Sequence, residues 1–214
     1  MDDRDKQIIN DRYSNRLQQY GDDIKTMASG TPERRQIRFD VLSQVGNMAG
    51  ASVLDIGCGF GDFYQYLKDR DIRAKYTGYD INGDLIKICR NKFPEADFEV
   101  KDIQKDTIFE KFDFVFSSQT FNNKLQYDDN EKVIKDVLKK AYDICTDRGG
   151  VAVDMITSYV DFKEARLHYY KPEEIFSYCK TLTKRVVLRH DYPLFEFAVY
   201  MYKDFKGWGK NDTK

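Results

Sequence analysis

The sequence predicts an α/β protein with a seven-stranded, mostly parallel sheet and helices on both of its faces. A short apolar run at residues 52–56 leads into alternating glycines and then into apolar residues at helical spacing, which indicates a strand, a tight turn and a helix. The next apolar run ends in an acid, Asp80. Near the carboxyl terminus, two apolar runs are joined by so short a link that the two strands must be antiparallel.

Composition and charge argue against several classes of protein. The 214 residues are 41% hydrophobic, which is enough for one domain with a sizeable core. The formal net charge of −1 gives no general attraction to nucleic acid or to an anionic membrane. The four cysteines lie far apart without a C-x-x-C pair, so we expect neither a zinc site nor a disulfide framework. With no apolar run of transmembrane length and no signal peptide, we expect a cytoplasmic protein.

Two helices are predicted before the first strand. Residues 4–20 carry apolar side chains at helical spacing and end at Gly21. After a loop, Thr31 caps a second helix and Pro32 lies in its first turn. This second helix is expected to end at Gly46.

The first strand is predicted at residues 52–56, and the turn after it points to a ligand. Glycine is needed there because the backbone must take angles closed to other residues and let a ligand reach the main chain. The glycines follow G-x-G-x-G, whereas dinucleotide sites favour G-x-G-x-x-G. Asp55 precedes them and Asp62 opens the helix. Negative charge at a helix start repels a pyrophosphate but suits a cationic cofactor.

Acids also follow the second and third strands. Strand two is predicted at residues 75–79, and Asp80 at its end can hold a ribose diol through two hydrogen bonds. The same acid would serve NAD, so it supports the fold more than the choice of cofactor. A helix at 84–93 then leads to strand three at 97–100, which is followed by Asp102.

The next predicted elements form the middle of the sheet. Strand four, at 112–116, leads into the polar segment 117–123, at the edge where open α/β sheets bind ligands. A helix is predicted at 129–145, a Gly-Gly turn at 149–150 and strand five at 151–156.

The segment after strand five is a candidate substrate loop. Residues 157–171 are aromatic and charged, and the segment is longer than the usual connection of about two to six residues. A helix at 172–182, strand six at 185–189 and strand seven at 195–202 complete the predicted fold.

The stretch 53–62 resembles the first motif of the class I S-adenosylmethionine-dependent methyltransferases, in particular the small bacterial single-domain type. The resemblance extends over roughly residues 31–203 and implies the strand order 3-2-1-4-5-7-6, with strand seven antiparallel. It also implies a helical lid at 1–47, a Rossmann-like core at 48–204 and a polar tail at 205–214. Two helices that merely pack against the core are the alternative to a lid.

The resemblance implies S-adenosylmethionine as the cofactor, with S-adenosylhomocysteine as its product, and no metal. In this family an acid after strand three accepts a hydrogen bond from the adenine amino group while its neighbour packs on the ring, and Asp102 and Ile103 match that pattern. An arginine of the second helix would suit the carboxylate of the cofactor. The residues expected to bind the cofactor are Asp55, Gly57, Gly59, Asp62, Asp80, Ile81, Asp102, Ile103, Ser117 and Arg38.

The sequence contains two histidines, His168 and His190, and both are predicted near the ligand-binding edge. Methyl transfer mainly needs alignment, and a base is required only when the acceptor holds its proton tightly. We expect one histidine to act as that base, with His168 favoured. A phenol or a carboxylic acid would ionise without help, and neither histidine would then matter.

Aromatic and basic side chains gather at the predicted rim of the cleft. The basic ones suit an anionic acceptor, and tyrosines suit a sugar or an aromatic ring. The segment after strand four lacks the Pro-Pro-aromatic motif of methyltransferases that act on exocyclic amines, which favours oxygen over nitrogen. The residues expected to bind the substrate are Tyr13, Phe121, Asn122, Tyr159, Arg166, Tyr170 and Tyr192.

The sequence therefore predicts an S-adenosylmethionine-dependent methyltransferase that modifies a small molecule, at a hydroxyl oxygen of an anionic, sugar-like or aromatic metabolite. An RNA or protein methyltransferase is an alternative, although neutral charge and the lack of an appended binding domain oppose it. A catalytically silent partner subunit is a further alternative. Either a monomer or a homodimer is compatible with the sequence.

Overall fold

The computed structural model describes residues 1–28 and 30–204. Its strands are β1 Ser52–Ile56, β2 Lys75–Asp80, β3 Asp97–Val100, β4 Phe112–Ser117, β5 Cys145–Ile156, β6 Arg185–Arg189 and β7 Glu196–Tyr202. Its helices are α1 Asp3–Tyr20, α2 Ile24–Met27, α3 Pro32–Ser43, α4 Asp62–Lys68, α5 Gly83–Lys92, α6 Asn130–Ile144 and α7 Pro172–Leu182.

The seven strands form one sheet in the order β3-β2-β1-β4-β5-β7-β6. The first five strands pair in parallel, and β7 runs antiparallel to both β5 and β6. This arrangement confirms the predicted fold class and strand order. Because the five parallel strands share one direction, their carboxyl ends meet at one edge of the sheet, where the loops can form a site.

Side chains alternate between the two faces of the sheet and build a core on each face. In β4, Val115 belongs to one core, whereas Phe114 and Phe116 belong to the other. Helices α6 and α7 cover the first face, and α3, α4 and α5 cover the second. Each large apolar side chain that is fully buried stabilises the fold by about 1.5–3 kcal/mol.

Side-chain caps explain where several helices begin. Thr31 accepts a hydrogen bond from the Arg34 amide at the start of α3, with Pro32 in the first turn as predicted. Asn82 and Asp129 cap α5 and α6 in the same way. Each cap satisfies amide groups that the helix itself leaves without a partner.

One strand differs from the prediction. β5 begins at Cys145 and continues through the Gly-Gly pair that was predicted to be a turn. The register between β4 and β5 shifts between Phe112 and Phe114. A Cβ atom on Gly149 would lie 1.9 Å from the carbonyl oxygen of Asp113. Glycine is therefore required here by the close approach of two strands rather than by a turn.

The N-terminal helices divide into two kinds by their packing. Helix α3 contributes buried Phe39, Val41 and Leu42 to the core, whereas α1 buries chiefly a charged residue, Asp5. The short helix α2 was predicted as loop. The domain boundary at residue 47 stays a prediction, and the predicted tail at 205–214 lies outside the described residues. Within the described part of the chain, no helix is long and apolar enough to cross a membrane.

Candidate functional site

Two adjoining cavities lie at the carboxyl ends of the parallel strands. The first cavity is bounded by the glycine turn after β1, the ends of β2 and β3, the segment after β4 and helix α1. The second cavity, of about 410 Å³, is bounded by α1, α3, the segment after β4 and residues 160–169. Five residues line both cavities: Tyr13, Met27, Arg38, Gln119 and Asn123. A ligand in one cavity would therefore lie beside a ligand in the other.

The glycine turn leaves main chain exposed to the first cavity. Gly57 and Gly59 have φ values of 75° and 56°, which favour glycine. A Cβ atom on Gly57 would come within 2.3 Å of the Thr120 side chain, and one on Gly59 within 2.6 Å of Met27 Cε. The turn is fixed to β2, because the Gly57 amide donates to the Tyr79 carbonyl oxygen at 2.7 Å.

Two carboxylates, the buried Asp55 and the half-buried Asp80, lie beside this turn. Asp55 accepts a hydrogen bond from the Tyr76 hydroxyl at 2.7 Å, and burial raises the pKa of Asp55 to about 7. Asp80 accepts hydrogen bonds from the Gly59 amide at 3.0 Å and the Asn82 amide at 2.9 Å. Burial raises the pKa of Asp80 to about 6 in spite of these bonds. Raised pKa values show that ionising these groups in the free protein costs energy, so a cationic ligand would be favourable here.

Asp102 offers an acceptor at the far side of the first cavity. Its Oδ1 accepts a hydrogen bond from the Gln104 amide at 3.0 Å. Its Oδ2 is buried and lacks a hydrogen-bond partner among the described residues, with the Lys6 Nζ atom 3.5 Å away. The apolar side chains Ile81 and Ile103 line the same cavity. This combination of a carboxylate oxygen without a hydrogen-bond partner and apolar walls fits an adenine ring with its amino group.

Asp62 and Arg38, two further residues expected at the cofactor, are both held in ion pairs. Asp62, in the first turn of α4, lies 2.7 Å from Arg35 Nη1. Arg38 is buried and pairs through two nitrogens with Glu196, at 2.7 and 2.8 Å. The charge of Arg38 is thus already neutralised, which disagrees with the prediction that Arg38 binds the carboxylate of the cofactor.

The segment after β4 is fixed by a carboxylate that sequence reasoning missed. Asp154 on β5 accepts hydrogen bonds from the Ser118 hydroxyl at 2.7 Å and from the Gln119 amide at 2.7 Å. Gln119 has φ 58°, a left-handed conformation that is uncommon outside glycine. Ser117 itself turns inward and donates to the Ile56 carbonyl oxygen at 2.9 Å. Ser118, Gln119 and Thr120, rather than the predicted Ser117, therefore line the first cavity.

The predicted substrate residues separate into two groups. Tyr13 lines both cavities, Phe121 lines the first, and Asn122 and Arg166 line the second. The other three, Tyr159, Tyr170 and Tyr192, line neither cavity.

Each of those three tyrosines lies in a different environment outside the cavities. Tyr159 is 64% exposed, outside the cavities. Tyr170 is fully buried and donates to the Phe121 carbonyl oxygen at 2.7 Å. It therefore holds a residue of the first cavity without lining the cavity itself. The hydroxyl of Tyr192 is buried without a hydrogen-bond partner among the described residues.

Neither histidine lines either cavity. His168 Nε2 lies 3.0 Å from Glu131 Oε1 of α6, and the ring packs edge-on against Tyr170. His190 is exposed, and its ring centroid lies 6.0 Å from that of Tyr159. The prediction of a histidine base at the reaction centre disagrees with this geometry, because both side chains are directed to other partners.

Several lining residues carried no recognisable signal in the sequence. Asn10 and Arg12 belong to α1, and Met27 belongs to the short helix α2. These helices join the site only because they fold back over the sheet edge. The buried Asp154 is one acid in a strand, and periodicity alone assigns it to a face without showing what it binds.

Comparisons with known proteins agree with this geometry. A family model described as a methyltransferase domain matches residues 53–149. The Mycobacterium tuberculosis protein Rv1506c, named as a methyltransferase, is 32% identical over 163 residues, which cover 71% of this chain and 93% of that protein. The malonyl-[acyl-carrier protein] O-methyltransferase of Acetivibrio thermocellus is 29% identical over 119 residues, covering 55% of this chain but 40% of that protein.

Solved structures show the same fold. The magnesium protoporphyrin IX methyltransferase ChlM from Synechocystis PCC 6803, solved with bound SAH, matches with a TM-score of 0.65. The match covers 94% of this chain and 100% of that chain at 15% sequence identity. At so low an identity, the likeness concerns the fold alone.

Proposed function

Because the chain belongs to the class I S-adenosylmethionine-dependent methyltransferases, we propose that it transfers a methyl group to an oxygen atom of a small, anionic acceptor. The observation that carries this proposal is a difference in charge balance between the two adjoining cavities. Four aspartates and three basic side chains line the first cavity, whereas four arginines and three acids line the second. A cationic methyl donor and an anionic acceptor would thus each meet groups of the opposite charge.

The residues of the first cavity fit the cofactor part by part. Asp80 would accept hydrogen bonds from the ribose hydroxyls, and Asp102 Oδ2 would accept one from the adenine amino group. Asp55 lies beside the glycine turn, where it favours a cationic amino-acid portion. When bound, S-adenosylmethionine supplies a methyl group already activated by a sulfonium, so the protein mainly has to align the acceptor.

The absence of histidine from the described cavity linings narrows the choice of acceptor. A sugar hydroxyl holds its proton tightly and needs a base, whereas a carboxylic acid or an acidic phenol is ionised before it binds. We therefore favour an acceptor oxygen that arrives without its proton. A relative named for O-methylation of a malonyl group, which is an acid, supports this choice. A cytoplasmic location and a monomeric or homodimeric state stay predictions.

Two measurements test the proposal. Calorimetric titration should detect binding of S-adenosylmethionine to the purified protein. Incubation with a fractionated metabolite extract should then produce S-adenosylhomocysteine, detected by mass spectrometry, in the acidic fraction. The same extract after removal of acids by anion exchange is the control and should give none. Absence of cofactor binding, or turnover confined to the acid-depleted extract, would contradict the proposal.

A further inference from the structure

The second cavity contains two arginines, Arg12 and Arg34, that no carboxylate approaches within ion-pair distance in the part of the chain that the structure describes. The other two arginines of this cavity are compensated. Arg38 pairs with Glu196 at 2.7 Å, and Arg166 pairs with Glu164 at 2.7 Å. The remaining acid of the lining, Asp161, is exposed. The cavity therefore retains an excess of positive charge.

The cation of Arg12 is partly buried and lacks an ion-pair partner in the described part of the chain. It projects from α1, is half-buried, and donates through Nη1 to the neutral Asn123 Oδ1 at 2.7 Å. Burial lowers the pKa of Arg12, and the cations Arg166 and Arg16 lower it further, whereas Tyr13 and Glu164 oppose this effect. The guanidinium stays charged, so a bound anion would compensate a cation that is partly removed from water.

The location of these two arginines separates them from the methyl donor. Both line the second cavity but not the first, whereas Tyr13, Gln119 and Asn123 line both. An anionic group held by the arginines would consequently lie in the second cavity and not in the first. The oxygen that receives the methyl group would then belong to another group of the same molecule.

Part of the lining of the second cavity is apolar. Ile156, Val160, Phe162, Leu167 and Phe195 line the second cavity. Apolar walls favour a hydrocarbon or aromatic body between two polar ends of a ligand.

From this arrangement we propose that Arg12 and Arg34 form a carboxylate-binding subsite, which anchors the end of the acceptor that is not methylated. The inference rests on the proposed function, and it specifies the substrate class as a molecule with an apolar body, a remote carboxylate and a second, ionised oxygen. A guanidinium binds a carboxylate through two parallel hydrogen bonds, which fixes direction as well as position. Since Asp161 partly offsets the two cations, a singly charged carboxylate matches the cavity better than a doubly charged phosphate ester.

The test uses straight-chain dicarboxylates of three to eight carbons, with the matching diamides and monophosphate esters as comparisons. Binding is measured by calorimetry on the full chain saturated with S-adenosylhomocysteine. At least one dicarboxylate should bind more tightly than its diamide and than the phosphate ester of similar length. Arg12→Gln and Arg34→Gln should each weaken that binding about tenfold or more, because each removes a charge-assisted contact.

Arg73→Gln is the matched control, since Arg73 is exposed and lies outside both cavities. It should leave dicarboxylate binding unchanged. Diamides that bind as well as the diacids, a preference for phosphate esters, or undiminished binding in both arginine variants would overturn the subsite.

A second readout does not depend on the ligand. If Arg12 is kept for binding rather than for folding, Arg12→Gln should raise the melting temperature of the free protein or leave it unchanged. A clear loss of thermal stability would instead assign Arg12 a structural role and overturn the inference. Normal titration of S-adenosylmethionine alongside failed dicarboxylate binding would reject the subsite alone, whereas loss of cofactor binding in the wild type would reject the proposed function.

Discussion

At the scale of the residue, Asp80 combines a structural and a binding role. Its two oxygens accept the amide hydrogens of Gly59 and Asn82, so it fixes both the glycine turn and the start of α5. Each oxygen retains a second lone pair that can accept a hydrogen bond from a ligand. The same side chain therefore shapes the first cavity and faces its contents.

We expect Asp80→Asn to weaken S-adenosylmethionine binding by about 2–3 kcal/mol, since it removes charge-assisted acceptors of ribose hydroxyls. Calorimetric titration measures this change. Asp97→Asn, an exposed position on β3, is the control and should bind normally. Equal affinities in both variants would argue against Asp80 as the ribose acceptor.

For the two histidines, in contrast to Asp80, we expect that substitution changes little. Because His168 pairs with Glu131 and His190 is exposed outside the cavities, we expect His168→Gln and His190→Gln to keep kcat within about twofold. A general base would contribute about 10²–10⁴-fold. Steady-state rates with a saturating acceptor decide the question. A loss of that size in either variant would restore the histidine base.

At the scale of the element, α1 lines the first cavity through Ile9, Asn10 and Tyr13. Its Asp5 is buried and accepts amide hydrogens from Gln126, Tyr127 and Asp128 at 2.8, 3.0 and 2.9 Å. A carboxylate with three amide donors is strongly held. This contact attaches the helix to the loop before α6.

Removing this contact should loosen the attachment of α1. We expect Asp5→Ala to cost about 2–4 kcal/mol of local stability, because three amides lose a charged acceptor. Hydrogen exchange of residues 3–20 should accelerate, and S-adenosylmethionine should bind more weakly. Asp11→Ala, exposed on the same helix, provides the comparison and should exchange like the wild type. Unchanged protection in Asp5→Ala would show that other contacts hold the helix.

At the scale of the whole molecule, two carboxylates of the first cavity couple folding and binding to pH. Asp55 and Asp80 have pKa values of about 7 and about 6, raised by burial above 3.8. Between those values and about pH 4, the folded state binds more protons than the unfolded state. These two groups therefore make the free protein less stable as pH rises from about 4 to about 7.

Cofactor binding should show the reverse trend. A cationic ligand favours the ionised carboxylates, so affinity for S-adenosylmethionine should rise from pH 5 to pH 7.5, by about tenfold from Asp80 alone. Titration at pH 6.5 in buffers of different ionisation enthalpy should also reveal proton release on binding. Asp80→Asn should flatten the profile. An affinity that is constant or stronger at pH 5 would contradict this linkage.

Most of the fold follows from local patterns. The apolar runs, the cap at Thr31 and the short link before β7 specified the elements and the antiparallel hairpin. The Gly-Gly pair led to the wrong prediction of a turn. Glycine occurs both in turns and at close contacts between strands, and the sequence alone does not distinguish the two uses.

The sequence by itself determined the glycine turn and the acids at the strand ends, because neighbouring residues define both. Only the tertiary structure decided which charges are compensated. Arg38 meets Glu196, 158 residues away, and the Gln119 side chain meets Asp154, 35 residues away. His168 likewise meets Glu131 rather than the cavity. Such pairings depend on how distant segments fold together, so the same residue type becomes a ligand contact or a structural support according to its partner.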